Sequence, residues 1–409
     1  MNGPGTGRDA VMGEAGRFLV PLDRGIERFF LENLHVPHGL RERGLALVAR
    51  AGFTSLLWNR RAASTGAMGP HPAWDSLLPL WAAAGEEMGA EIRECLRGGR
   101  SWRAILQRDD AGESLVVLVF PSDRAQPAAV LKLRRVTTAP RRSLSAEAGF
   151  LERLAERLPE PLRASVPRVL AFRTLGEGEA LLISALPGRP AYFEMHASLR
   201  PLRRAATHLD AGARWLAAFH QATRRGRAFD AAAAEPAVRE AAAEAEALAG
   251  GPPDCRWFDE LRERLDRRPL PLAASHGDFW ARNVLLDGAG HVTGVVDWEH
   301  AFDPAPPFED LFHFALTYGS NALWSRYRRG TPADSFRWTF LEETPVSRGV
   351  RAGLRSYCSG TGLPPEQLAG LFRLYLWTTF RRAGGAQEKG LWLHYDGMLM
   401  RADRSAFSG

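Results

Sequence analysis

A chain of 409 residues that is 45 % apolar, with a net charge of +6, holds enough apolar material for two or three domains or one two-lobed unit, and is neither disordered nor fibrous. No apolar run approaches the ~18 residues that span a bilayer, Met1 to Ala15 lacks the basic start and apolar core of a signal peptide, and three scattered cysteines, Cys95, Cys255 and Cys358, make neither a disulfide framework nor a metal pattern, so a reducing cytoplasm fits best. The 53 basic and 47 acidic residues are interspersed, which excludes the long basic stripe of a nucleic-acid binder and leaves no membrane or nucleic-acid partner to expect.

Residues 1–95 read as a mostly helical extension without a chemical motif. Ile26 to Leu34 and Leu77 to Leu96 place apolar residues at helical spacing, and a Gly/Ala/Pro-containing linker, Ala62 to Pro72, lies between them. From about 96 the pattern turns to strands. Trp102 to Gln107, Ser114 to Phe120 and Ala128 to Leu133 are rich in Val, Leu and Ile, with turn residues at Asp109 to Gly112 and Ser122 to Pro127. That pattern predicts an antiparallel meander. A helix follows over Ser143 to Leu158, stopped by Pro159. Two more strands follow, Pro167 to Arg173 and Ala180 to Ser184, and Leu186-Pro187-Gly188-Arg189-Pro190 then breaks regular structure. The remainder is mainly helical, with amphipathic stretches at Leu209 to Thr223, Ala231 to Leu248, near Asp310 and over Pro364 to Arg382. One strand pair interrupts it, Asn283 to Asp287 and Val292 to Asp297, joined by Gly288-Ala289-Gly290. The fold class is therefore α+β: an extension over 1–95, a small β-rich lobe over 96–187 and a large α-rich lobe over 188–409.

The chemistry concentrates around that strand pair. Ser275-His276-Gly277-Asp278-Phe279-Trp280-Ala281-Arg282-Asn283 has the form H-G-D-x4-N, and Val295-Val296-Asp297-Trp298-Glu299 follows across the hairpin. A hairpin returns the chain beside its start, so two carboxylates and an amide oxygen are expected to converge. Such a set suits Mg²⁺, a hard cation that also takes phosphate oxygens. Phosphoryl transfer needs the same parts: a carboxylate to receive the acceptor hydroxyl's proton, a metal on the phosphates, and a cation behind them. Lysine supplies a compact point charge that arginine does not. Of the 53 basic residues only two are Lys, Lys132 and Lys389. Lys132 stands inside an apolar strand, where chance placement is the poorer explanation.

These motifs resemble the aminoglycoside phosphotransferase and choline kinase-like family, relatives of the protein kinases, over about 96 to 385. The resemblance implies a two-lobed protein-kinase-like fold that binds ATP or GTP with Mg²⁺. It implies Asp278 as catalytic base and Asn283 and Asp297 as metal ligands. It implies His276 and Asp310 as structural supports of the catalytic loop, Asp310 standing in Phe308-Glu309-Asp310-Leu311. Lys132, in Ala129-Val130-Leu131-Lys132-Leu133, matches the strand lysine that meets the nucleotide phosphates. Glu147 is its implied helix partner, with Glu152 the second choice. Ser184, Ala185 and Leu186 resemble the interlobe hinge whose backbone meets adenine. Two departures stand out: no G-x-G-x-x-G joins the first strands, where only Gly98-Gly99-Arg100-Ser101 occurs, and Phe302-Asp303-Pro304-Ala305-Pro306-Pro307 replaces the family's Gly-Asp-Pro.

The function implied is transfer of the γ-phosphate to a hydroxyl of a small molecule: an aminoglycoside, an amino alcohol, a sugar or a related metabolite. A catalytically silent nucleotide-binding or regulatory module on the same fold is the alternative. A protein kinase is disfavoured by His-Gly-Asp and by the short interval from Asp297 to Asp310. The helical stretch 235–266 mixes carboxylates and arginines and is no clear anionic pocket for a polycation. His220, His300 and His313 read as packed or solvated side chains rather than ligands, and Trp280 and Trp298 flank the motif residues.

Overall fold

The computed structural model describes residues 9–12, 18–21, 29, 78–95, 102–108, 113–121, 123–136, 143–176, 178–197, 202, 204–251, 253–327 and 331–401. The helix read over Ile26 to Leu34 (Phe29 apart), the linker Ala62 to Pro72, the turn Asp109 to Gly112 and the Gly98-Gly99-Arg100-Ser101 loop lie outside them. The chain divides into two compact units, 1–156 with 163–197 and 293–300, and 157–162 with 198–292 and 301–409.

The first unit is built on a seven-stranded antiparallel sheet in the order β1-β2-β3-β4-β5-β7-β6. Its strands are β1 (Asp9–Met12), β2 (Phe18–Pro21), β3 (Trp102–Arg108), β4 (Ser114–Pro121), β5 (Ala129–Arg135), β6 (Val169–Leu175) and β7 (Gly178–Ser184). Helices α1 (Leu78–Glu87) and α2 (Gly89–Cys95) precede β3, and α3 (Leu144–Arg157) precedes α4 (Glu160–Arg163) and β6. A two-residue strand, β8 (Arg189–Pro190), leads into α5 (Ala191–Ala197).

Strand β5 explains the layering. Its side chains alternate across the sheet: Ala129, Leu131 and Leu133 are fully buried, in one cluster with Leu115, Val117 and Val119 of β4, with Leu80 and Ala84 of α1, Ile92 of α2 and Met88 between the two helices. Lys132 and Arg134 therefore stand on the other face. Lys132 lies opposite Val116 on one side and Leu181 on the other. Among the described residues, the segment read as a mostly helical extension adds two short strands to the sheet, and its helices α1 and α2 pack on the sheet's core. Four-residue strands such as β1 and β2 carry too short an alternation to read from sequence alone.

The second unit is mainly helical. Its helices are α6 (Ala205–Ala222), α7 (Ala231–Ala249), α8 (Arg256–Arg267), α9 (Phe308–Tyr327), α10 (Pro332–Phe336), α11 (Pro345–Thr361), α12 (Leu368–Arg382) and α13 (Ala386–Arg401). A π-helical turn, Arg337–Leu341, joins α10 toward α11. Local chemistry sets the ends. Asp230 accepts the amides of Ala232 and Ala233 at the start of α7. Thr344 and Ser347 form a capping box at the start of α11, which stops at Gly362 in the left-handed region, φ 73°. Among the described residues no helix is long and apolar enough to cross a membrane.

An aromatic stack lies under the H-G-D loop. Phe279, next to Asp278, is fully buried. Its ring lies 5.5 Å from Trp215 of α6 and 5.1 Å from Phe314 of α9. Between the helices, Gly212 leaves room for Phe314, because a Cβ there would stand 2.4 Å from the ring's Cε1. Gly212→Ala is expected to lower stability by about 1–3 kcal/mol through overpacking, read as an earlier denaturant midpoint at unchanged slope.

Candidate active site

The H-G-D loop follows β9 (Ala273–Ser275), which pairs antiparallel with β12 (Phe302–Ala305), and ends at β10 (Val284–Leu286). The loop is held from beneath by α9. Asp310 accepts the His276 amide on Oδ2 at 2.7 Å and the Gly277 amide on Oδ1 at 2.9 Å. Gly277 makes the turn with φ 77°, a conformation that glycine takes without a Cβ penalty. Asp310 is only 2 % exposed. Burial by itself raises its carboxyl, but the approach of His220 (Nε2 to Oδ2, 3.7 Å), the nearby His276 ring and the His276 amide hold it below its ordinary 3.8. His220 is placed by Tyr357, whose hydroxyl lies 2.8 Å from Nδ1.

The loop's polar side chains meet one another. The His276 ring is fully buried, and its Nδ1 accepts the Asp278 amide at 3.3 Å. Asn283 Nδ2 donates to the Asp278 backbone oxygen at 3.0 Å and to its Oδ2 at 3.2 Å. His313 Nε2 lies 3.3 Å from the other carboxylate oxygen, Oδ1. Four of the site residues named from sequence, His276, Asp278, Asn283 and Asp310, thus form one cluster in the second unit. His313 joins them, against its reading as a packed or solvated histidine. It follows Asp310 by three positions, so α9 presents both side chains from neighbouring turns. That i, i+3 spacing is the one signal in the sequence that could have found it.

A second cluster lies in the first unit. Lys132 Nζ donates to Glu147 Oε1 at 2.7 Å and to Asp297 Oδ1 at 2.9 Å. Burial opposes the ammonium charge, but the Asp297 and Glu147 carboxylates outweigh it and hold the lysine well above its usual range. Glu147 is itself buried, with Oε2 unpartnered, so its one hydrogen-bonded oxygen serves the lysine. The segment carrying Asp297 is pinned on both sides of it. Val295 N–H donates to Ser165 O at 2.8 Å. Trp298 stacks on Phe150 at 5.9 Å and returns its Nε1–H to Val295 O at 2.9 Å. Among the described residues Asp297 alone of the non-glycines has positive φ, 68°, a conformation that costs about 1 kcal/mol or more and marks functional turns when the surroundings impose it.

Two positions along, the pattern repeats: Arg134 of β5 bonds Glu299 at 2.5 Å. His300, with Arg134, draws the Glu299 carboxyl far below its ordinary value against the effect of burial. Glu299 is thus bonded to Arg134 and approached by His300. The third group named from sequence follows β7. Ser184 N–H donates to Arg168 O at 2.9 Å and Ala185 N–H to Ala128 O at 3.2 Å, so of the amides of Ser184, Ala185 and Leu186 the last is the one these bonds leave unused.

A model of the phosphotransferase enzyme family matches residues 97–344, a span that contains every residue of both clusters. The chain belongs to the phosphotransferase enzyme family. This phosphotransferase resembles several solved structures. One is an aminoglycoside-3'-phosphotransferase of type VIII, at 22 % identity over 70 % of this chain and 98 % of the other, TM-score 0.39. Another is the aminoglycoside phosphotransferase APH(3'')-Id of Streptomyces rimosus in complex with ADP and streptomycin, at 16 % identity over 77 % and 98 %, TM-score 0.39. A third is an ethanolamine kinase of Plasmodium vivax, at 9 % identity over 81 % and 95 %, TM-score 0.37. No curated protein matched it in sequence.

Asp310→Ala removes the carboxylate that accepts the His276 and Gly277 amides, leaving Gly277 only Ser275 Oγ at 3.1 Å, and is expected to lower stability by about 3 kcal/mol. The sign with pH follows from the depressed carboxyl: Asp310's contribution is complete above the ordinary 3.8 and is lost as pH falls through the lower folded value. Denaturant melts from neutral to acid pH should therefore show the difference between the native chain and Asp310→Asn narrowing at the acid end.

Proposed function

We propose that this phosphotransferase moves the γ-phosphate of ATP or GTP to a hydroxyl of a small molecule. The observation that carries the reading is the double ion pair of Lys132, one carboxylate from α3 and one from the turn at Asp297. A buried lysine so held is a fixed point charge, suited to the phosphates nearer the nucleotide base. Glu147 keeps the ammonium in place, and the backbone from Ser184 to Leu186 receives adenine, with Leu186 N–H as the available donor.

Asn283 and Asp297 are the proposed Mg²⁺ ligands. Asn283 turns its Nδ2 onto Asp278, which leaves its amide oxygen for a hard cation. The Asp297 carboxylate is 43 % exposed. Among the described residues no three His, Cys, Asp or Glu side chains gather as a closed metal cage. Mg²⁺ does not need one, since it commonly binds through one or two carboxylates with phosphate oxygens and water. When bound, it supplies neutralising charge on the phosphate oxygens.

Asp278 is the proposed base. Its carboxylate is 32 % exposed and takes the proton of the acceptor hydroxyl as the new O–P bond forms and the bond to the β-phosphate oxygen breaks. His276 and Asp310 keep the loop in shape without touching the reacting atoms. The acceptor class is an aminoglycoside, an amino alcohol, a sugar or a related metabolite. Around α7 and α8 the carboxylates are paired internally: Glu235 with Arg239 and Arg262, Glu240 with Arg381, Glu244 with Lys389. That stretch is consequently not an open anionic surface for a polycation.

The test is to incubate the chain with Mg-ATP or Mg-GTP and aminoglycosides, amino alcohols, sugars and nucleosides, and to follow phosphate transfer. Asp278→Ala is expected to lower turnover by about 100-fold or more while nucleotide binding by calorimetry is kept. Lys132→Ala should weaken nucleotide binding, and Asp297→Ala should raise the Mg²⁺ concentration needed for half-maximal rate. No transfer to any acceptor, together with no nucleotide binding, would overturn the proposal.

A further inference from the structure

Each oxygen of the Asp278 carboxylate faces a side-chain nitrogen. Asn283 lies at 3.2 Å from Oδ2, and His313 Nε2 at 3.3 Å from Oδ1. The histidine is fixed from behind. Its Nδ1 lies 3.2 Å from the hydroxyl of Tyr375 on α12, a residue 4 % exposed. Burial holds the Tyr375 phenol above its usual range, so it keeps its proton and can donate. A neutral imidazole carries one N–H, and a carboxylate only accepts. The proton therefore belongs on Nε2, facing Asp278, and the Tyr375 hydroxyl donates to Nδ1.

This arrangement answers a mechanical need. The terminal torsion of an aspartate is broad and roughly two-fold. A carboxylate tied at one oxygen swings about its Cβ–Cγ bond, and a base must present a lone pair within hydrogen-bond reach of the proton it takes. We propose that His313 is a positioning residue of the phosphotransfer site, the second clamp that sets the plane of the Asp278 carboxylate toward the acceptor hydroxyl. The proposal rests on Asp278 being the base. In it, α9 supports the site twice: Asp310 holds the loop's backbone, and His313 holds the side chain the loop presents. The chain Tyr375, His313, Asp278 orients the base and leaves its proton-accepting role unchanged.

The experiment uses the full chain with Mg-ATP, reading phosphate transfer to the acceptor found in the panel and the slower transfer to water. His313→Ala is expected to lower kcat by about tenfold or more, with the KM for ATP within about twofold and a small change in melting temperature. His313→Gln keeps an N–H donor on a similar reach and should recover most of the loss. In the Asp278→Ala background, His313→Ala should add nothing, since the group it positions is gone. A second readout is independent of the acceptor. In the chain labelled with ¹⁵N-histidine, the His313 signal, identified by its loss in His313→Gln, should be the Nε2–H tautomer. Its Nε2 should move in Asp278→Asn and its Nδ1 in Tyr375→Phe.

A His313→Ala kcat within about twofold of the native value, with Asp278→Ala inactive, overturns the positioning role and leaves the base assignment standing. A loss that Gln does not relieve, together with a lowered melting temperature, reduces His313 to packing. A nitrogen signal unmoved by both neighbouring substitutions also overturns it. Full turnover by Asp278→Ala would instead sink the base assignment, and His313's role with it.

Discussion

In the H-G-D loop the chain leaves strand β9 and turns back within a few residues, and the amides of His276 and Gly277 are directed inward at the turn. A buried amide without an acceptor costs about 1–3 kcal/mol, and Asp310 meets that need by placing both carboxylate oxygens under the turn, with Ser275 Oγ a further acceptor for Gly277. Everything proposed for catalysis in the second unit is referred to that contact. Asp278, Asn283 and the buried Phe279 take their positions from a backbone that Asp310 holds, while Trp215 and Phe314 wedge the loop from the side. The support is electrostatically self-consistent: burial alone would favour a neutral acid, and His220, His276 and the amide it accepts keep the carboxylate charged.

The first unit solves a related problem with opposite sign. A lysine within a sheet needs its charge met, because an unpaired buried ammonium is expensive. Lys132 meets Glu147 and Asp297 at once. The arrangement has a geometric consequence for Asp297. Its left-handed backbone is stabilised by the lysine on its side chain and by Val295 and Trp298 on either side of it. The Arg134–Glu299 pair, two residues along each strand, doubles the link between β5 and this turn. Substituting one charge in such a pair leaves its partner uncompensated, so the two bridges are expected to matter more for the turn's geometry than for net stability.

The proposed acceptor base is the place where the two scales meet. Asn283, five positions after Asp278 in the same loop, reaches it locally, while His313 and Tyr375 come from helices more than 30 residues beyond Asp278. Asn283 and His313 thus flank one carboxylate, with Tyr375 behind the histidine, and the chemistry proposed for the site depends on their shared rigidity.

How much of this was legible without coordinates follows from chain distance. The H-G-D-x4-N spacing, the strand carrying Lys132 and the helix carrying Glu147 could be read because each is a local pattern, with alternation or turn chemistry inside a window of a dozen residues. Lys132 was further marked by the near-absence of lysine from the chain. The strands β1 and β2 were missed because four residues hold too little periodicity to separate strand from loop, and they became strands by pairing with each other and with β3. An isolated histidine on a helix, such as His313, carries no sign of its partner in the sequence, and neither does Arg134, whose partner Glu299 stands 165 positions away. The sequence by itself determined which residue types occupy the site and in what order. Tertiary structure alone decided which of the distant ones touch, because hydrogen-bond partners 34 to 165 residues apart are brought together only when sheet register and helix packing close the chain.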